Sequence, residues 1–76
     1  MTKNPIRVGV LGAGGRMGQA IIAALADAPG LVLAGAVERA GHASCGQPAG
    51  PGHSETLTIC SNIGAIAHKC DVLVDF

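Results

Sequence analysis

The chain has 76 residues, 49% of them apolar and one of them aromatic, with five basic and five acidic side chains and zero formal net charge. That is enough for one small domain with a core of Val, Leu, Ile and Ala, and too little for two; a domain of this size buries only about 60% of its unfolded surface. Balanced charge without a cluster of Lys or Arg argues against nucleic acid and membrane surfaces as partners.

Residues 1–5 read as a short leader ending at Pro5, and Ile6–Leu11 (IRVGVL) is a β-branched run that predicts a first strand. The apolar run after Lys3 and Arg7 is too short for a signal-peptide core. No stretch is long enough to cross a membrane, so the expected compartment is the cytoplasm. Gly12, Gly14, Gly15 and Gly18 then occupy four of seven consecutive positions. Met17, Ala20, Ile21, Ala24, Leu25 and Ala28 recur at helical spacing and predict a helix with those residues toward the core. Pro29 and Gly30 stop it.

Leu31–Val37 (LVLAGAV) is continuous and apolar, as a strand buried on both faces requires. Within it, Gly35 either lets a helix approach closely or marks a bulge. Residues 39–56 are rich in glycine and proline without periodicity and read as a mobile loop. A brief third strand follows at 57–60. Ser61 is placed to cap a short helix running to Lys69, with Ile63, Ile66 and Ala67 on its inner side. Residues 71–76 (DVLVDF) predict a fourth strand. Three cysteines, Cys45, Cys60 and Cys70, form no C-x-x-C pair and read as reduced thiols, two of them packed as small hydrophobes.

Alternating strands and helices predict a parallel sheet with helices on its faces. Right-handed crossovers then place strand one centrally, strands two and three to one side and strand four on the other. Ligands of open α/β sheets bind where the strand order reverses, here between strands one and four.

The glycines stand beside that point, between the first strand and the first helix. A helix amino terminus there offers unpaired N–H groups and a partial positive charge, both suited to a diphosphate. Gly12 would make the turn, Gly14 or Gly15 would let the ligand reach the backbone, and Gly18 would let the helix lie on the sheet. The fit to G-x-G-x-x-G fails at Met17, and the register Gly12, Gly15, Gly18 reads better. No Gly-Lys-Ser/Thr follows, so this is not a P-loop.

Glu38 comes just past the second strand, twenty residues beyond Gly18, where a carboxylate accepts the ribose hydroxyls of a dinucleotide. Its neighbour Arg39 can hold a 2′-phosphate, so the pair suggests tolerance of both NAD and NADP cofactors. Arg16 starts the helix, where a cation is unfavourable to the helix dipole unless an anion binds alongside. His42, Cys45 and His53 have no metal-site spacing, and no metal is expected.

"VGVLGAGGRMGQAI", then "GAVER" at 35–39, then "CDVLVDF" at the end resemble the amino-terminal part of the 4-hydroxy-tetrahydrodipicolinate reductases. These are the dihydrodipicolinate reductases of bacterial lysine and diaminopimelate synthesis. The resemblance runs from Ile6 to Phe76 and is most specific at Gly15-Arg16-Met17-Gly18, with little of it in the 40–56 loop. It implies an α/β fold, a Rossmann-like parallel sheet with flanking helices, here incomplete. It implies that Gly12, Ala13, Gly14, Gly15, Arg16 and Met17 cradle the diphosphate of NADH or NADPH. Glu38 would then hold the adenine ribose and Arg39 the adenine side and any 2′-phosphate. Asp75 and Phe76 match a family strand that ends Asp-Phe-Thr; Phe76 lies by topology at the glycine-turn end of the sheet, able to face the nicotinamide or to serve the core.

Family members reduce a cyclic imine dicarboxylate with a hydride, through a second domain with a His-rich motif and a Lys proton donor, commonly as homotetramers. His42, His53 and His68 do not match that motif. The chain is therefore expected to be the amino-terminal part of a dinucleotide-binding domain over 1–76, a fragment with no catalytic residue, inactive alone and prone to fold poorly or associate. Competing readings are the cofactor domain of another NAD(P)-dependent dehydrogenase, such as a homoserine- or hydroxyacid-dehydrogenase relative, and a non-catalytic nucleotide-sensing module of a regulator. An FAD-binding start would leave Arg39 unexplained.

Overall fold

The computed structural model describes residues 5–50 and 57–75. In chain order they form β1 (Ile6–Leu11), α1 (Arg16–Ala26), β2 (Leu31–Val37), α2 (Gly64–Ala67) and β3 (Val72–Val74). The strands pair in the order β2-β1-β3, and both pairings are parallel. This is the Rossmann-like α/β arrangement, with strand one central and the second and last strands on either side of it.

The two faces of the sheet follow from strand alternation. Val8 and Val10 of β1 point to one face, where they join Leu33 and Ala36 of β2 and Ile22 and Leu25 of α1 in the core. Gly9 points to the other. Its register partner on β2 is Gly35, so two facing glycines leave a bare notch in the sheet. Ile66 of α2 fills it at Gly35, where a Cβ would stand 2.7 Å from Ile66 Cβ; at Gly9 a Cβ would meet Leu73 Cδ2 at 2.7 Å and Cys70 Sγ at 2.8 Å, with Ile66 Cδ1 at 3.1 Å. Leu33 and Ala36 share a face despite odd spacing because the register skips Ala34, pairing Val8 with Leu33 and Gly9 with Gly35. The extra residue is a bulge, so Gly35 serves both the helix approach and the irregularity.

The buried face of α1 is Gly18, Ile22 and Leu25, with Ile21 partly buried against the core. Met17, Ala20 and Ala24 face outward, and Met17 is 60% exposed, contrary to the face expected from the sequence. The reason is Gly18. A Cβ there would run into the Gly12 carbonyl oxygen and come within 2.9 Å of Ala13 Cα. Only this residue lets the helix touch the turn, and residues three and four positions on from it are carried inward with it.

The predicted third strand is reduced to isolated bridges, Val37 with Cys60 and Pro48 with Thr58. Cys60 does pair with β2, its N–H donating to Ala36 O at 2.9 Å and its carbonyl accepting from Glu38 N–H at 2.9 Å. The preceding residues turn the other way: Ile59 N–H donates to Gln47 O, and Gly46 and Ala49 N–H donate to Ile59 O and Leu57 O. Residues 57–60 therefore tie the loop to the sheet instead of extending it. The loop expected to be mobile is held in this way over residues 39–50, with Ala49 buried in the core; residues 51–56 lie outside the described residues.

α2 is one turn long, not the longer helix expected up to Lys69. Asn62 Oδ1, not Ser61, accepts the Gly64 N–H at 2.9 Å. Of its expected inner residues only Ile66 is buried, because a single turn directs one side chain into the notch. β3 is fastened by Asp71, which accepts from the Arg7 backbone N–H at 2.9 Å and pairs with its guanidinium at 3.1 Å. No helix among the described residues is long and apolar enough to cross a membrane.

Candidate functional site

At the carboxyl end of β1 the chain reverses through Gly12, whose φ of 78° lies in the left-handed region that favours glycine. The N–H groups of Gly12 and Ala13 both donate to Val37 O, at 2.8 and 3.0 Å, strapping the turn to the end of β2. Ala13 is fully buried. Gly15 N–H closes the turn onto Gly12 O at 3.1 Å. The side-chain amide of Gln19 donates to Ala13 O at 2.7 Å and Ala49 O at 3.1 Å, joining turn, helix and loop. Gln19 carried no signal of this in the sequence, since its partners are set by tertiary packing.

The first i→i−4 bond of α1 runs from Gln19 N–H to Gly15 O at 2.9 Å. The N–H groups of Arg16, Met17 and Gly18 precede it and have no intrahelical acceptor. Gly15 caps the helix without a side-chain bond, and no acidic residue lies in the first turn. The positive end of the helix dipole is thus uncompensated from within α1, and Arg16 adds to it.

Glu38, at the end of β2, reaches across to this turn. Its Oε2 accepts the Gly14 N–H at 3.0 Å, and its Oε1 accepts the Arg39 N–H at 2.9 Å. Its carboxyl is held below the ordinary range, first by the Arg39 backbone N–H, then against some desolvation by the Gly14 N–H and by nearby His42 and Arg39. A carboxylate within hydrogen-bond reach of a glycine turn and a helix amino terminus can accept sugar hydroxyls while the turn donates to phosphate. These residues fit a dinucleotide.

The structure separates the two glycines that the sequence left as alternatives. A Cβ on Gly15 would meet only Gly12 O, at 3.5 Å, so that side is open for a ligand. A Cβ on Gly14 would collide with the Ser44 hydroxyl and stand 2.7 Å from His42 Cε1. His42 and Ser44, on a turn bonded from His42 N–H to Arg39 O and from Cys45 N–H to His42 O, therefore border the site. Sequence reasoning missed both, because nothing local ties residues 42–44 to the glycines. Arg16, Met17 and Arg39 are exposed around the turn, and Phe76 lies outside the described residues.

A family model described as dihydrodipicolinate reductase, N-terminus, matches residues 6–76. Curated proteins named 4-hydroxy-tetrahydrodipicolinate reductase are similar to the chain. That of Geotalea daltonii is 49% identical over 74 residues, covering 93% of this chain and 28% of its own length. That of Geotalea uraniireducens is 43% identical with the same coverage, and that of Bordetella parapertussis is 45% identical over 95% of this chain and 27% of its own length. The chain thus spans little more than a quarter of the length of these relatives. With a matching family model over almost its whole length, a glycine turn at the sheet end and Glu38 set against it, the chain belongs to the dihydrodipicolinate reductase family, in its amino-terminal part.

Proposed function

We propose that the chain is the NAD(P)H-binding portion of a 4-hydroxy-tetrahydrodipicolinate reductase, which reduces a cyclic imine dicarboxylate to tetrahydrodipicolinate in lysine and diaminopimelate synthesis. The observation that carries the cofactor reading is the Glu38 carboxylate drawn onto the glycine turn, 3.0 Å from Gly14 N. Gly12 and Ala13 shape the turn, while the N–H groups of Arg16 and Met17, reached past the open side of Gly15, bind the diphosphate. Glu38 orients the adenine ribose through its hydroxyls. Arg39 meets the 2′-phosphate of NADPH, so both NADH and NADPH are accepted. The dihydro form of the nicotinamide supplies the hydride when bound.

Residues beyond these 76 supply the substrate pocket and the proton donor, and the chain alone does not catalyse reduction. The whole enzyme is a cytoplasmic homotetramer without nucleic-acid or membrane partners. Titration of the full-length protein with NADH and NADPH, in wild type, Glu38→Ala and Arg39→Ala, tests the site. Loss of a charge-assisted contact weakens binding about tenfold or more: Glu38→Ala is expected to do so for both cofactors, Arg39→Ala mainly for NADPH. Equal weakening by Arg39→Ala removes the 2′-phosphate role, and unchanged binding by Glu38→Ala removes the ribose role. A full-length protein that binds cofactor yet does not turn over the imine is a sensing module or another dehydrogenase.

A further inference from the structure

The roles assigned above leave His42 and Ser44 unused, although both press on Gly14. The Ser44 backbone N–H donates to His42 Nδ1 at 3.1 Å, and Ser44 Oγ lies 2.8 Å from the same nitrogen. A backbone N–H can only donate, so Nδ1 is the acceptor and the neutral ring carries its hydrogen on Nε2. Among the described residues that Nε2–H has no partner. It is bonded to Cε1, the ring atom that would stand 2.7 Å from a Cβ on Gly14, and Gly14 is the residue whose N–H Glu38 accepts.

The donor is placed before any ligand arrives. Besides the Ser44 bonds, its turn is closed by His42 N–H to Arg39 O at 3.1 Å and Cys45 N–H to His42 O at 3.0 Å. Gly46 N–H then pins it to Ile59 O at 2.8 Å. Ordering a donor in advance spares the entropy of fixing it on binding. A phosphate dianion beside the Glu38 carboxylate is repelled by it and needs more than one charge-assisted or strong donor to stay. Arg39 alone is a long, exposed side chain at the rim.

We propose that His42 is a specificity-determining residue at the adenosine end of the site, offering Nε2–H beside Arg39 to the 2′-phosphate of NADPH, with Ser44 as the positioning residue that fixes its ring. This rests on the dinucleotide reading above. Ser44 acts on the ligand only through the imidazole.

The test uses the full-length protein. NADH and NADPH affinities are measured in wild type, His42→Ala, His42→Gln and Ser44→Ala. The ring nuclei of His42 are followed by NMR in wild type during titration with adenosine 2′,5′-bisphosphate and, separately, with ADP. His42→Ala is expected to lower NADPH affinity about tenfold relative to NADH, a charge-assisted bond's worth. Ser44→Ala shifts the ratio the same way by less, and His42→Gln, which keeps a donor near the Nε2 position, restores most of it. The His42 resonances move with the 2′,5′-bisphosphate and much less with ADP. An unchanged NADPH-to-NADH ratio in His42→Ala, or His42 signals indifferent to the 2′,5′-bisphosphate, overturns the assignment; the NMR arm decides it even where the variant fails to fold. Wild type that binds neither dinucleotide overturns the reading of the whole site instead.

Discussion

What a methyl group would meet at each glycine of the turn separates folding from binding. At Gly18 it meets backbone, the Gly12 carbonyl and Ala13 Cα at 2.9 Å, and backbone held on both sides cannot move away. Gly18→Ala is expected to cost about 1–3 kcal/mol, as overpacking does, read by denaturant unfolding. At Gly15 the contact is ordinary and the backbone, at φ −85° and ψ 175°, suits any residue. Gly15→Ala should therefore change stability by less than about 0.5 kcal/mol while weakening dinucleotide binding, because its methyl stands on the open side. Equal stability losses in the two variants would refute this division. A third residue-scale expectation concerns acid. The Asp71 carboxyl is held below its ordinary value by the side-chain hydrogen bond from Arg7, then by the Arg7 backbone N–H. A lowered folded value means that the pair's contribution is complete above the ordinary carboxylate range and is lost as pH falls through the folded value. Asp71→Asn should accordingly flatten the dependence of the melting temperature on pH below about 4 and leave its slope near neutrality unchanged.

Elements pack here by volume exclusion around glycine. The paired Gly9 and Gly35 make the notch that seats Ile66, and Gly18 makes the contact that seats α1. Gly35→Ala puts a methyl 2.7 Å from Ile66 Cβ, an atom fixed to the helix backbone, so α2 must lift. On the opposite face Ile22 and Val10 are the largest fully buried side chains. Ile22→Ala is expected to cost about 2–5 kcal/mol, a large share of what so small a core supplies. A cost below about 1 kcal/mol by thermal or denaturant melting would mean that α1 is not the main cover of the sheet. The strand pattern of β1 and β2 was legible in the sequence because β-branched and continuous apolar runs are local. The inward face of α1 was not, because Met17, Ala20 and Ala24 share the period of Ile21 and only the contact at Gly18 sets the helix rotation.

For the molecule as a whole, the described residues leave Val72 and Leu73 of the outer strand and Ile63 beside α2 exposed, at 47%, 39% and 46%. Unpaired backbone on an outer strand next to apolar side chains is a template for association. The 76-residue chain by itself is expected to associate, and Val72→Lys to raise its monomer fraction in sedimentation at equal concentration. A sharp monomeric two-state melt of the unsubstituted chain would contradict this.

The strands Ile6–Leu11 and Leu31–Val37, the turn at Gly12, the stop at Pro29 and Gly30 and the place of Glu38 just past β2 were readable in order along the chain. Each depends on interactions over a few residues: backbone sterics, apolar runs and turn chemistry. Family membership was readable for the same reason, since its motifs are short. What joined Glu38 to Gly14, twenty-four residues away, or set Ser44 and His42 against the same glycine, was decided in three dimensions. So were the skipped Ala34 and the reduction of 57–60 to bridges. In each case two segments compete for one volume or one backbone donor, and the winner is chosen by contacts that no local pattern encodes.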